Sequence, residues 1–232
     1  MRIRPHGSSG FLPLLVAAFL QLSPSSSAAE LTLKVVDKEP PKELDASIRP
    51  ALQSKAIQLL DGEKPAYEFW LRPKIPWQSK PASAAKALDA VKQAALLGAV
   101  AVSESARDYR DDALPKGVYT MRFALQPQDG NHLGTAEFLY FAVLVPAKLD
   151  TKLDGIADYK ALVKASSKET STDHPIVLSL RPVSADEGEL PRLSEPAPEH
   201  KSVRVKVPAK APDSDQKASL VFELVYQGMG KK

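Results

Sequence analysis

His132 and His174 are the residues of this chain whose type and company most invite chemistry. His132 ends the run Gln126-Pro127-Gln128-Asp129-Gly130-Asn131-His132, the densest polar cluster in the sequence, and His174 directly follows Asp173. Imidazole and carboxylate both suit a divalent ion such as zinc. Two histidines with Asp129 or Asp173 would leave a coordination position for water, whose pKa the ion lowers, as in a metal-dependent hydrolase. The two histidines lack the close spacing of a helical metal motif such as H-E-x-x-H, so such a site requires two distant loops to converge. The architectural reading is the stronger one. Asp-Gly-Asn is turn chemistry, His132 then bonds a neighbouring carbonyl, and Asp173 or Thr172 shapes the entry to the strand that follows.

Trp70 and Trp77 are the two tryptophans. An exposed indole among polar neighbours can stack on a sugar or anchor a partner, which makes both ligand-binding candidates. The commoner fate of a tryptophan is to be covered, for Trp70 by the proline-rich 73–81 segment or by the helix at 84–95. Asp108, Asp111 and Asp112 offer oxygens to calcium, yet Arg107 and Arg110 interleave with them, as in a neutralised surface loop. Ser103, Ser166 and Ser167 sit in no nucleophile-elbow motif. With no cysteine in 232 residues, thiol catalysis, thiolate zinc sites, iron–sulfur clusters, disulfides and a lipidated N-terminal cysteine are all excluded.

The elements that would position these groups are mainly strands. Apolar residues alternate at Leu31–Val35, Tyr67–Leu71, Tyr119–Leu125, Ile176–Leu180, Val203–Val207 and Leu220–Tyr226. Asp61-Gly62 makes a turn between strands at 56–60 and 67–72. Leu96–Val102 reads as a strand, and 138–145 is apolar on both faces, as a central strand covered on both sides must be. Short helices are expected from Ser83 to about Ala95, and around Ile156, Tyr159 and Leu162 with Asp154 as cap. Residues 184–200, rich in Glu, Pro and Ser, read as a surface loop. Many short strands with Pro/Gly turns predict an antiparallel β-sandwich carrying one or two short helices, with an α+β layout as the alternative.

Residues 116–135 (KGVYTMRFALQPQDGNHLGT), Val145-Pro146-Ala147 and the segment 172–180 (TDHPIVLSL) resemble an uncharacterised family of exported bacterial proteins. The hairpin text at 56–76 is similar to that family's upstream hairpin, so the resemblance spans roughly residues 56–182. It implies an exported, independently folded domain and carries no activity, substrate or cofactor with it.

The N-terminal 29 residues support the same address. Arg2, Arg4 and His6 precede an apolar run from Phe11 to Leu22 and a small-residue stretch ending at Ala28-Ala29, the form of a cleaved signal peptide. The run is too short for a membrane span, and no later apolar segment exceeds strand length. Residues 30–232 are then expected to form one domain, in the periplasm or outside the cell. The chain has 31 Lys+Arg against 28 Asp+Glu, two of those arginines lie in the leader, and the signs alternate, so nucleic acid is not an expected partner. The expected function is a non-catalytic binding or structural module of the cell envelope, with an envelope protein or a glycan as partner. The alternative is the metal-dependent hydrolase built on His132 and His174.

Overall fold

The structure is a computed structural model that describes residues 30–104, 106–108, 113–127, 138–154, 156, 158–170, 174–184, 188–198, 200–212 and 218–228. The leader read at 1–29 lies outside them. The chain is mainly β. In order, its strands are β1 (Thr32–Asp37), β2 (Lys55–Asp61), β3 (Lys64–Leu71), β4 (Ile75–Pro76), β5 (Leu96–Val102), β6 (Gly117–Leu125), β7 (Tyr140–Pro146), β8 (Ile176–Pro182), β9 (Arg192–Ala197), β10 (His200–Lys210) and β11 (Ala218–Gln227). All belong to one sheet of order β1-β2-β3-β5-β6-β7-β8-β11-β10-β4, with β9 paired to β10. Every pairing is antiparallel except β10 with β4.

The sheet is strongly curled. β3 and β11 are five steps apart in strand order, about 24 Å across a flat sheet at ~4.8 Å per step. Yet the Tyr67 and Tyr226 rings lie 5.5 Å apart, and the Tyr67 hydroxyl donates to the Tyr226 carbonyl at 3.2 Å. Its concave face therefore packs on itself and forms the main core. Leu59, Tyr67 and Phe69 come from one flank, Met121, Phe123 and Leu178 from the centre, and Val203, Val205, Phe222 and Leu224 from the other flank. The two layers expected of a sandwich are the two halves of a single sheet.

The convex face of the central strands is covered as well, in two places. Helix α1 (Tyr159–Ser166) lays Leu162 on Phe141, Val143, Val145 and Val177. Leu44, Ile48 and Leu52 cover Trp70, Leu96 and Ala99. β7 is consequently buried along its whole length, as its two-sided apolar sequence requires. β5 approaches β3 so closely that a Cβ at Gly98 would collide with the Trp70 carbonyl. Gly62 takes φ +60° in the β2–β3 turn, a conformation natural to glycine.

Four local expectations differ from the structure. The Ser83–Ala95 stretch forms only a 3₁₀ turn, Ala84–Ala90, because its backbone must leave the turn to join Trp77 and then β5. The second helix starts later than read: Asp158, not Asp154, caps it, its carboxylate accepting from the Ala161 N–H at 2.8 Å. Part of the 184–200 loop is strand β9, which the free edge of β10 captures. Leu125, grouped by alternation with the core residues of β6, is 42% exposed. Among the described residues no helix is long and apolar enough to cross a membrane.

Candidate functional site

Asp129, His132 and Asp173 lie outside the described residues, as do Asp111 and Asp112. His174 is exposed just before β8, where its carbonyl accepts from Thr170 Oγ1 at 3.2 Å. The strands nonetheless locate the anchors of the two loops. On either side of the segment carrying His132, Leu125 of β6 and Tyr140 of β7 are paired neighbours. β8 begins beside Leu144, toward the other end of β7. The loop carrying His132 and the segment carrying His174 are thus rooted at opposite ends of β7. His200 opens β10, with its Nδ1 3.0 Å from the Pro198 carbonyl oxygen. Among the described residues no three His, Asp or Glu side chains are grouped as a metal ion would need.

Trp70 is 1% exposed, its indole N–H donates to the Lys38 carbonyl at 2.9 Å, and its ring lies beneath Leu44, Ile48 and Leu52. It has no free face for a ligand. The cover comes from the 38–52 segment, not from the two stretches considered above. Trp77 is different. It is 7% exposed, belongs to the wall of two adjoining cavities, and its indole Nε1 has no hydrogen-bond partner among the described residues.

The chain path explains why Trp77 is there. β3 ends at Leu71, and the Arg72 N–H donates to the Leu97 carbonyl at 2.9 Å. Pro73 follows where the pairing of β3 with β5 ends. The chain crosses the open end of the curled sheet and pairs Ile75 and Pro76 with Ala209 and Lys210 of β10. The Trp77 N–H donates to the Lys210 carbonyl at 2.8 Å, and the Gln78 N–H to the Ala90 carbonyl at 2.8 Å. Trp77 is thereby clamped between the end of β10 and the 3₁₀ turn.

On one side of it opens a groove of about 550 Å³, with Pro73, Pro76 and Pro212 as apolar walls and Arg72, Lys74 and Lys210 at its edges. None of these three cations has a carboxylate within ion-pair distance among the described residues. On the other side lies a narrower cavity of about 110 Å³, which shares Arg72, Pro76 and Trp77 and adds Lys92, Gln93, Ala94 and Asp154. Gln93 Oε1 accepts from the Leu125 N–H at 3.1 Å, which fixes the amide orientation, because only the oxygen can accept. Its Nε2 is buried and has no partner among the described residues. Two residues of this wall thus each carry a buried donor without an acceptor among the described residues, at a cost of about 1–3 kcal/mol apiece.

The wall of this cavity is held from beneath by Arg122. Its guanidinium, 1% exposed, uses all five N–H groups. Two go to the Asp150 carboxylate, one each to the Ala94 and Leu153 carbonyls at 2.9 Å, and one to the Lys152 carbonyl at 2.7 Å. Thr120 Oγ1 donates to Asp150 as well, at 2.5 Å. Ala94 has φ +61°, a left-handed conformation that is unfavourable for a residue with a Cβ. Strain of this kind persists only where surrounding bonds over-determine it, and it concentrates at functional sites. Here the Ala94 N–H donates to the Phe123 carbonyl at 2.9 Å while its carbonyl accepts from Arg122.

A second buried charge, Glu223, is consumed in the same way by the fold. It is 0% exposed and stands in register between Arg204 and Arg181 across β10, β11 and β8, accepting from both. Alternation in β6 and β11 assigns Arg122 and Glu223 to solvent, and Asp150, just after a 3₁₀ turn, sits in no periodic pattern. The full burial of β7 was the available signal: a neighbour of a strand covered on both faces is itself partly covered.

No family model, curated protein or solved structure matches this chain.

Proposed function

We propose that this chain is an exported, non-catalytic binding module whose ligand is a small acidic molecule, such as an acidic oligosaccharide, docking in the Trp77 groove. The observation that carries this reading is the set of three cations, Arg72, Lys74 and Lys210, unpaired among the described residues, around a proline-walled groove of about 550 Å³. Surface lysines and arginines are ordinary, but here three converge on one concavity with no carboxylate at ion-pair distance among the described residues, a positive field for an approaching anion. The volume lies within the ~300–1,000 Å³ of small-ligand sites. A protein partner would instead need a contact on the order of 1,000 Å² or more. The leader read at residues 1–29 supports export. The buried charges Arg122 and Glu223 have their bonding capacity taken up within the fold.

The test is titration of the purified protein with a uronic-acid oligomer and with its neutral counterpart, at low and at physiological salt. The acidic oligomer should bind selectively, weaken with salt, and lose affinity in the Lys74→Gln/Lys210→Gln double variant. Equal binding of the two oligomers, or an unchanged affinity in the double variant, would overturn the reading.

A further inference from the structure

We infer that the outer face of β10 continues the Trp77 groove as a basic track, and that the ligand is a linear polyanion, an acidic polysaccharide chain laid along both. The inference rests on the groove reading for the class of ligand and adds how much of the chain the protein holds. Val203, Val205, Val207 and Ala209 of β10 belong to the main core. Side chains alternate along a strand, so Arg204, Lys206, Pro208 and Lys210 share the opposite face, and the last three of these are exposed there. Pairing of β10 with β11 is regular from Ser202 to Ala209, so no bulge breaks this row. Lys74 joins it from the crossing segment. It immediately precedes Ile75, the partner of Ala209, and it lines the groove together with Lys210. Lys210 thus belongs to the groove and to the row, which makes the two surfaces continuous.

Cover and charge agree with this. The two apolar clusters on the convex side of the sheet, under α1 and under Leu44, Ile48 and Leu52, include no residue of β10. Among the described residues no carboxylate lies within ion-pair distance of Arg72, Lys74, Lys206 or Lys210. β10 carries no acidic residue. The neighbouring β11 carries only Glu223, which is 0% exposed and held between Arg204 and Arg181. From Lys210 to Arg204 the row runs about 20 Å, at ~3.4 Å per residue. A disaccharide does not span that length, whereas a longer chain with a charge on every sugar meets the row repeatedly, and each cation adds to the field that attracts it. Nucleic acid is the other linear polyanion. Its single strands are held by aromatic stacking platforms as well as by cations. The row holds no aromatic side chain, and opposite it on β11 stand Glu223, Val221 and Ser219, so the face fits a sugar chain and offers nothing on which a base could stack.

The experiment is titration calorimetry of the purified protein with a uronic-acid disaccharide and with a decasaccharide of the same polymer. The groove holds the short oligomer, and only the long one reaches the track. Lys206 is exposed and stands outside the groove. Lys206→Gln should therefore weaken the decasaccharide by about three- to fivefold, the loss of one surface charge contact, and leave the disaccharide unchanged. Lys74→Gln/Lys210→Gln should weaken both. Lys64→Gln, in the β2–β3 turn and outside both surfaces, removes the same charge and should change neither. If the disaccharide binds too weakly to measure, the decasaccharide losses in Lys206→Gln and Lys64→Gln decide between them. An unchanged decasaccharide affinity in Lys206→Gln, an equal loss for both oligomers, or an equal loss in Lys64→Gln would overturn the track. An oligodeoxythymidylate that binds as tightly as the decasaccharide would overturn the assignment to a sugar chain. The two readings fail separately. Decasaccharide binding that depends on Lys74 and Lys210 but not on Lys206 leaves the groove standing and removes the track. If neither oligomer binds, the groove reading falls too.

Discussion

Arg122 and Asp150 meet on the convex side of the sheet through two parallel hydrogen bonds, Nε to Oδ2 at 2.7 Å and Nη2 to Oδ1 at 2.9 Å, and both side chains are 1% exposed. The pair joins the middle of β6 to the segment after β7, and the remaining guanidinium bonds tie in Ala94, Lys152 and Leu153. One side chain therefore sets the relative position of two walls of the cavity behind Trp77.

Removing Arg122 should be severe. Arg122→Ala leaves the Asp150 carboxylate buried without its partner and frees three backbone carbonyls, so a loss of about 3–5 kcal/mol is expected, measured by urea unfolding. Arg122→Lys should recover little of it, because one ammonium cannot reproduce a planar five-donor fork. A variant as stable as wild type would refute the structural role of the pair.

Two residues on the same face of β6, Phe123 and Leu125, should respond differently to truncation. Phe123 is 2% exposed within the main core, and Phe123→Ala should cost about 3–5 kcal/mol. Leu125, 42% exposed, should tolerate alanine within about 0.5 kcal/mol. Similar losses at both positions would mean that the end of β6 turns differently.

Gly98 should not accept even a methyl group. Its Cβ would meet the Trp70 carbonyl and, at 2.9 Å, the Met121 Cε. The carbonyl belongs to backbone and cannot swing aside, so Gly98→Ala should destabilise by about 1–3 kcal/mol, seen as a lowered melting temperature.

Stability should fall in alkali. Burial pushes the Tyr226 phenol up to about 12, with Glu195 and Glu30 adding to the effect, and burial also pushes Tyr67 well above its ordinary value. The folded state keeps these protons after the unfolded chain, titrating near pH ~10, has lost them. Stability is therefore intact below about pH 10 and declines as pH rises from there toward the folded-state values. Urea unfolding across that window should show the decline, and a Tyr67→Phe/Tyr226→Phe variant should have a shallower one. An identical slope in the variant would locate the alkaline sensitivity elsewhere.

Strand identity was legible wherever alternation or two-sided apolarity was strong, as in β3, β6, β7, β8 and β11, because a half-buried or central strand repeats its environment every two residues. The Leu44, Ile48 and Leu52 cover was obscured by Pro50 and by polar neighbours, although the i, i+4, i+8 spacing was present. β9 could not be read, since its residues are only partly buried and its pairing depends on β10 offering an open edge. Of the candidate residues, Trp77 lies in a cavity wall and Trp70 does not, a difference that no local pattern distinguishes.

The sequence by itself determined a cysteine-free, mainly β chain with central strands and turns at defined positions, because these follow from local periodicity and residue chemistry. Only the tertiary structure decided that the sheet curls until Tyr67 meets Tyr226. The same holds for the crossing that carries Trp77 from β3 to β10, and for Arg122 and Glu223 being buried and not exposed. Those outcomes depend on which surfaces remain uncovered once distant strands have paired, and burial of that kind is a property of the assembled sheet, not of any segment.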